Sequence, residues 1–257
     1  MVLRLPLKAA PMLVLACCLL ALESRADGEA EFLGGASKAC PRCSLERAAL
    51  KRRDLSGADL SGANLARAVL HRAALAQAKF SYADLTEANL NKTDLKYASL
   101  VHAKLSGAML YEADLSLADL TEAILSGAKM GKARLVRALL DRAQLRNAIL
   151  TGARLDDASL RRAQLQGANL VGASLRRANL EGADLNNAGL VDAVLANTNL
   201  RAANLSEADL LGADLTGADL TGADLSEARL TRANLTATAL DGAKLTGTIM
   251  PDGSLHD

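Results

Sequence analysis

Apolar and polar positions recur along this chain with a period of five. From residue 45 to residue 250 every fifth position is Leu apart from Phe80, Met130 and Met250, so 39 of 42 such places hold Leu. Two residues before each, positions 43 to 248 hold Ala in 36 of 42 places, the exceptions being Cys43, Arg53, Thr93, Thr198, Thr238 and Thr248. The residue between them is small or polar, often Asp or Asn, and the two after Leu are mostly polar. Ala58-Asp59-Leu60-Ser61-Gly62 and Ala218-Asp219-Leu220-Thr221-Gly222 are clean copies, and no insertion or deletion breaks the register.

Neither regular element has this period. On an α-helix five residues advance about 500°, so successive Leu step round by about 140° and draw no stripe. On a straight strand an odd period sends alternate Leu to opposite faces. The pattern predicts a chain that runs briefly extended, with Ala and Leu on the inside, and then turns a corner before repeating. Glycine agrees, since 13 of the 19 Gly stand two residues after the Leu position, among them Gly57, Gly62, Gly107, Gly127, Gly152 and Gly222. A turn there asks for backbone angles that Gly adopts cheaply.

With these residues the chain closely resembles the pentapeptide repeat family, whose motif is Ala-(Asp/Asn)-Leu-X-X, over residues 43–250. The resemblance implies an all-β fold, a right-handed quadrilateral β-helix in which four pentapeptides make one square coil. Residues twenty apart then stack and the array makes about ten coils. At a spacing of ~4.8 Å per coil the rod is roughly 50 Å long.

Composition fits a core of that width. Half of the residues are apolar, yet Phe32, Phe80, Tyr82, Tyr97 and Tyr111 are the only aromatics and Trp is absent. Stacked Leu fill the axis and Ala lines the wall where nothing larger fits. The four Pro are Pro6, Pro11, Pro41 and Pro251, none inside the array. Pro lacks the N–H that hydrogen bonding between coils requires, so Pro41 and Pro251 bracket the solenoid. Residues 27–42 read as a short polar lead-in and 251–257 as a tail too short for the C-terminal helix of some family members. Both coil ends expose backbone edges that need a cap or a partner, so a homo-oligomer through the coil ends is one expectation. Arg53, in an inward Ala place, requires an irregular first coil or a side chain turned out near the N-terminal opening.

Residues 1–26 carry Arg4 and Lys8, an apolar stretch from Ala9 to Leu22, and Ser24-Arg25-Ala26. That is the layout of a secretory signal cut after Ala26, and it predicts an exported, periplasmic or secreted product. Val14-Leu15-Ala16-Cys17 loosely resembles a lipobox, which makes a lipoprotein anchored through Cys17 the minor alternative. The mature chain keeps Cys40 and Cys43, in Cys-Pro-Arg-Cys, as its only cysteines, free to oxidise outside the cytoplasm. Both fall on inward positions, as a structural disulfide or tucked thiols sealing the first coil. A redox-active pair needs a thiolate-stabilising helix start, zinc needs two further ligands, and c-type haem needs His where Ser44 stands.

No constellation of Ser, His and Asp has the spacing of a catalytic site, and the repeat itself accounts for the many Asp before Leu. His71 and His102 fall at corners and His256 in the tail. The sequence therefore predicts no enzyme, no cofactor and no metal site. The mature chain holds 27 basic and 28 acidic residues, a net −1 that argues against nucleic acid. Its distribution is uneven, at +7 over residues 27–180 and −8 over 181–257. Arg134, Arg137, Arg142, Arg146, Arg154, Arg161, Arg162, Arg176 and Arg177 form the densest basic stretch, a candidate docking patch for an acidic protein partner. Mutual screening is the competing explanation, since Asp141, Arg161, Glu181 and Arg201 alternate along one edge at a stacking interval of twenty, and Arg137, Asp157 and Arg177 along another.

The function that follows is an exported structural or protein-protein interaction module. The alternative is a DNA-mimicking, topoisomerase-protecting protein like the family's quinolone-resistance members. That role asks for a strongly negative rod and a cytoplasmic target.

Overall fold

The computed structural model describes residues 28–257, so the expected signal segment and Cys17 lie outside the described residues. Parallel bridges join residues twenty apart in unbroken succession, from Ala39↔Asp59 to Arg229↔Ile249. A turn of the chain is therefore four pentapeptides, and the bridging residue is in each case the one before the inward Leu, Phe, Met or Cys. One bridge per face is too little for a regular strand. Among the described residues the only strands are β1 (Thr248–Ile249) and β2 (Leu255–His256), which pair antiparallel where the chain leaves the solenoid.

Backbone hydrogen bonds explain the five positions. In the pentapeptide around Leu65, Leu65 N–H donates to Asp84 O of the next coil at 2.6 Å and Asn64 N–H to Cys43 O of the previous coil at 2.8 Å. Ala68 N–H closes the corner on Leu65 O at 2.9 Å. The corner is of type II, with positive φ at its third residue. All 42 such positions from Arg42 to Gly247 have that conformation, 13 of them Gly and 29 carrying a side chain. Glycine is thus the cheapest occupant of the corner and not a required one. Each L-residue there costs of order 1–2 kcal/mol, and the repeating hydrogen bonds hold it in place.

The Asp and Asn before Leu have an equally specific task. The N–H of the residue after Leu has no partner in the coil ladder, and a side-chain oxygen two residues earlier accepts it as an Asx turn. All 18 Asp or Asn in that register do so, from Asp54 with Ser56 N–H at 3.0 Å to Asn234 with Thr236 N–H at 3.1 Å. Thr93, Thr198 and Thr248 stay buried in the Ala place because each hydroxyl donates to a Leu carbonyl, as Thr198 does to Leu175 O at 2.7 Å.

The core is one Leu wide. The Leu at the inward positions from Leu45 to Leu230 and the inward Ala from Ala58 to Ala233 are almost wholly buried, together with Phe80 and Met130. The lead-in proves more structured than its polarity suggests. Residues 28–34 form a helix, α1, which inserts the fully buried Phe32 into the open end of the core. Arg53 resolves its inward position by turning to this helix. Its guanidinium donates to Phe32 O at 2.7 Å and Leu33 O at 3.1 Å and lies 5.3 Å from the Phe32 ring centroid. Cys40 and Cys43, both buried, are joined in a disulfide beneath the helix, S–S 1.98 Å.

Candidate functional site

The twenty-residue turn decides which surface residues become neighbours. Of the nine arginines, Arg134 and Arg154 stack on one face, and Arg137, Arg176 and Arg177 share the corner that follows it. Arg142, Arg161 and Arg162 lie on the next corner round the rod, and Arg146 on the one after that. The stretch that is continuous in sequence is therefore three clusters in space, the largest of five arginines.

Most of these charges are paired. Asp157 holds Arg177 at 2.7 Å, Asp141 holds Arg161 at 2.6 Å, and Arg142 reaches Glu122 at 3.3 Å, each across one coil. Arg134 lies 3.5 Å from Asp114 and Arg154 3.3 Å from Asp156, while Arg146 Nε donates to Gln166 at 3.2 Å. The Arg177 guanidinium holds the Asp157 carboxyl below the ordinary carboxylate range. At Asp141 burial opposes the charge, but the hydrogen bonds from Arg161 and Ser159 outweigh it, and this carboxyl too is held low. Such exposed pairs contribute about 0–1 kcal/mol each. Among the described residues Arg137, Arg162 and Arg176 have no carboxylate within ion-pair distance. A groove of about 570 Å³ runs along the Arg161 corner, lined by Asp141, Arg142, Arg161, Arg162 and Glu181.

Other residues acquire neighbours that only the coil provides. The His102 ring stacks on Tyr82 with centroids 4.8 Å apart, and its Nδ1 lies 3.4 Å from Glu122. These are successive members of one corner column, so aligning the sequence at a period of twenty would have placed them together. Tyr111 and Gly131 meet in the same way on another corner. Among the described residues no group of three or more His, Cys, Asp or Glu could hold a metal ion, and no helix is long and apolar enough to cross a membrane. The Asp before Leu, numerous enough to suggest acid chemistry, are engaged in Asx turns.

The family model described as Pentapeptide repeats matches in eight copies that together run across residues 43–250. Among solved structures, the chain is similar to HetL, a pentapeptide repeat protein involved in heterocyst differentiation regulation from the cyanobacterium Nostoc sp. strain PCC 7120. The two are 40% identical over 75% of this chain and 91% of that one, with a TM-score of 0.53. A pentapeptide repeat protein from the Arabidopsis thaliana thylakoid lumen is 34% identical over 44% of this chain and 71% of its own, with a TM-score of 0.24. QnrB1, a plasmid-mediated fluoroquinolone resistance protein, is 25% identical over 61% of this chain and 88% of its own, with a TM-score of 0.31. No curated protein matches the chain by sequence.

Proposed function

The chain belongs to the pentapeptide repeat family, and from that premise we propose that it is an exported, non-enzymatic rod of about ten coils serving as a structural or protein-protein interaction module. The observation that carries this reading is the convergence of Arg134, Arg137, Arg154, Arg176 and Arg177 on one face and its corner, where Arg137 and Arg176 feel Asp157 and Asp214 only from beyond ion-pair distance. Guanidiniums without a bound carboxylate, on a rigid, flat support, suit carboxylates on a protein partner, because the fork geometry adds direction to charge attraction. The order of residues 1–26 supports export, and so does the Cys40–Cys43 disulfide, a bond that persists in oxidising compartments. Association between copies, on this reading, uses the C-terminal coil, since α1 covers the other end.

The test is photo-crosslinking from this corner in the native envelope fraction. A defined partner whose yield collapses in Arg137→Glu/Arg176→Glu and persists in Arg146→Glu is the expected result. Equal yields in both variants would remove the arginine face from the proposal. Recovery of an uncleaved cytosolic product would sink export, and stoichiometric protection of gyrase in a supercoiling assay would replace the module with the DNA-mimic reading.

A further inference from the structure

A second surface, absent from the arginine stretch, lies on the corner that precedes the Arg134–Arg154 face. Asn91, Tyr111, Gly131 and Thr151 stack there at intervals of twenty, beside Met109, Lys129 and Ile149 on the adjoining face. Gly131, which follows Met130, is the one glycine of the array at the first corner position. A Cβ at this site would come 3.4 Å from Tyr111 Cδ2, so the phenol ring lies across the glycine instead of standing away from the rod. Asn91 Oδ1 accepts the Tyr111 backbone N–H at 2.8 Å and anchors its base, and Lys132 Nζ sits 5.9 Å from the ring centroid. The result is an open groove of about 450 Å³ with an apolar bed in which Ile149 is 42% exposed.

Two ammonium groups, Lys129 and Lys132, border that bed. Among the described residues neither has a carboxylate within ion-pair distance; Glu112, held by the Tyr111 side chain and by Lys92 at 3.2 Å, acts on Lys132 from farther off, which leaves Lys129 the freer of the two. The cationic edge continues toward the N-terminus through Lys51, Arg52 and Arg72. Backbone groups offer nothing here, because Met109, Lys129 and Ile149 bridge one another from coil to coil. Recognition therefore runs through side chains and not through strand addition. From Asn91 to Thr151 the groove spans three coil spacings, about 14 Å, the reach of roughly four extended residues.

We infer that the groove around Tyr111 docks a short, extended acidic segment of a partner protein, with one large apolar side chain seated between Tyr111, Met109 and Ile149 and carboxylates on Lys129 and Lys132. The inference takes the class of partner from the interaction-module reading but depends on none of its arginines.

The probe is a fluorescein-labelled Glu-Asp-Leu-Glu-Asp peptide, titrated into the mature protein by anisotropy at low salt. Replacing its Leu by Ser should weaken binding roughly tenfold to a hundredfold, the value of one buried aliphatic side chain. Lys129→Glu/Lys132→Glu should abolish binding, and Gly131→Val, which displaces the ring, should weaken it at least tenfold. Arg176→Glu should leave it unchanged, with circular dichroism verifying the fold of every variant. Affinity that ignores the Leu, or that survives the double Lys variant, overturns the inference. So does displacement by oligo-dT as efficient as by unlabelled peptide, which would mark a general polyanion surface. A silent peptide titration alongside intact crosslinking at Arg137 and Arg176 sinks the groove alone, and the reverse outcome sinks the arginine face alone.

Discussion

The two ends of the rod solve the same problem differently. At the N-terminal end Phe32 plugs the core, Arg53 ties down the carbonyl end of α1, and Glu29 accepts the Ser44 N–H at 2.6 Å. At the C-terminal end the N–H groups of Leu235, Ala237, Leu240, Gly242 and Leu245 have no partner in the protein. Leu235, Leu240, Leu245 and Met250 there are only partly buried, and the β1–β2 hairpin covers one corner. At the N-terminal end the N–H groups of Ala49 and Asp54 alone remain open in the corresponding register. A solenoid contacts only its neighbours, so a local cap or a local opening sets the stability of the adjacent coils with little effect farther along. One end is built to be finished, and the other to be either frayed or covered.

The largest test of this contrast is Phe32→Ala. Removing a fully buried ring costs about 3–5 kcal/mol, and the loss should be local. Hydrogen exchange by mass spectrometry should speed up over residues 45–75 and stay unchanged over 150–190; uniform acceleration would mean that the rod unfolds as one unit. A matched pair gives the next largest effect. Leu140→Ala, in the closed core, should cost about 2–5 kcal/mol in urea unfolding, and Leu240→Ala, at the partly open end, roughly half as much or less. Equal costs would show the C-terminal end covered in solution, for instance by a second copy.

Reducing the Cys40–Cys43 bond should cost about 2 kcal/mol, the chain-entropy value for so short a loop, again confined to the first coils. The smallest effect concerns the Asx turns along the acidic end. The Thr216 hydroxyl holds Asp214 below the ordinary carboxylate range, and the Ser226 hydroxyl does the same for Asp224, each helped by the N–H of the same residue. A folded-state value below the unfolded one stabilises above the unfolded value and is lost as pH falls through the folded one. Melting temperature should therefore drop on acidification from the ordinary aspartate value of 3.8 down to about 2, the value to which the Ser56 N–H and then Lys38 lower Asp54. Asp214→Asn/Asp224→Asn keeps both acceptors, so the melt at neutral pH should change little while the acid slope becomes shallower. An unchanged slope would mean that these two carboxyls are not held low in solution.

Much of the rod was legible before any coordinates. Leu45 to Met250 at intervals of five predicts an inward Leu, and the buried Leu column follows it. Aligned at twenty, the same sequence places Asp157 beside Arg177 and Asp141 beside Arg161, and both pairs form. Less legible was why Asp and Asn precede Leu, because an Asx turn requires knowing which backbone N–H the coil leaves over. The nine arginines read as one patch only while they were counted along the chain; wrapped at twenty residues per turn, they part onto different corners.

The sequence by itself determined the period, the inside and the outside, because a core one Leu wide admits few side chains and repeats that limit at every step. The tertiary structure alone decided what lies outside the repeat or across it. Phe32 and Arg53, twenty-one positions apart, meet because α1 folds back over the first coil. Tyr111 lies flat because a glycine stands one coil further on. A period of five specifies the inside and the outside and says nothing of the ends; the corner columns follow only once the coil is known to turn every twenty residues.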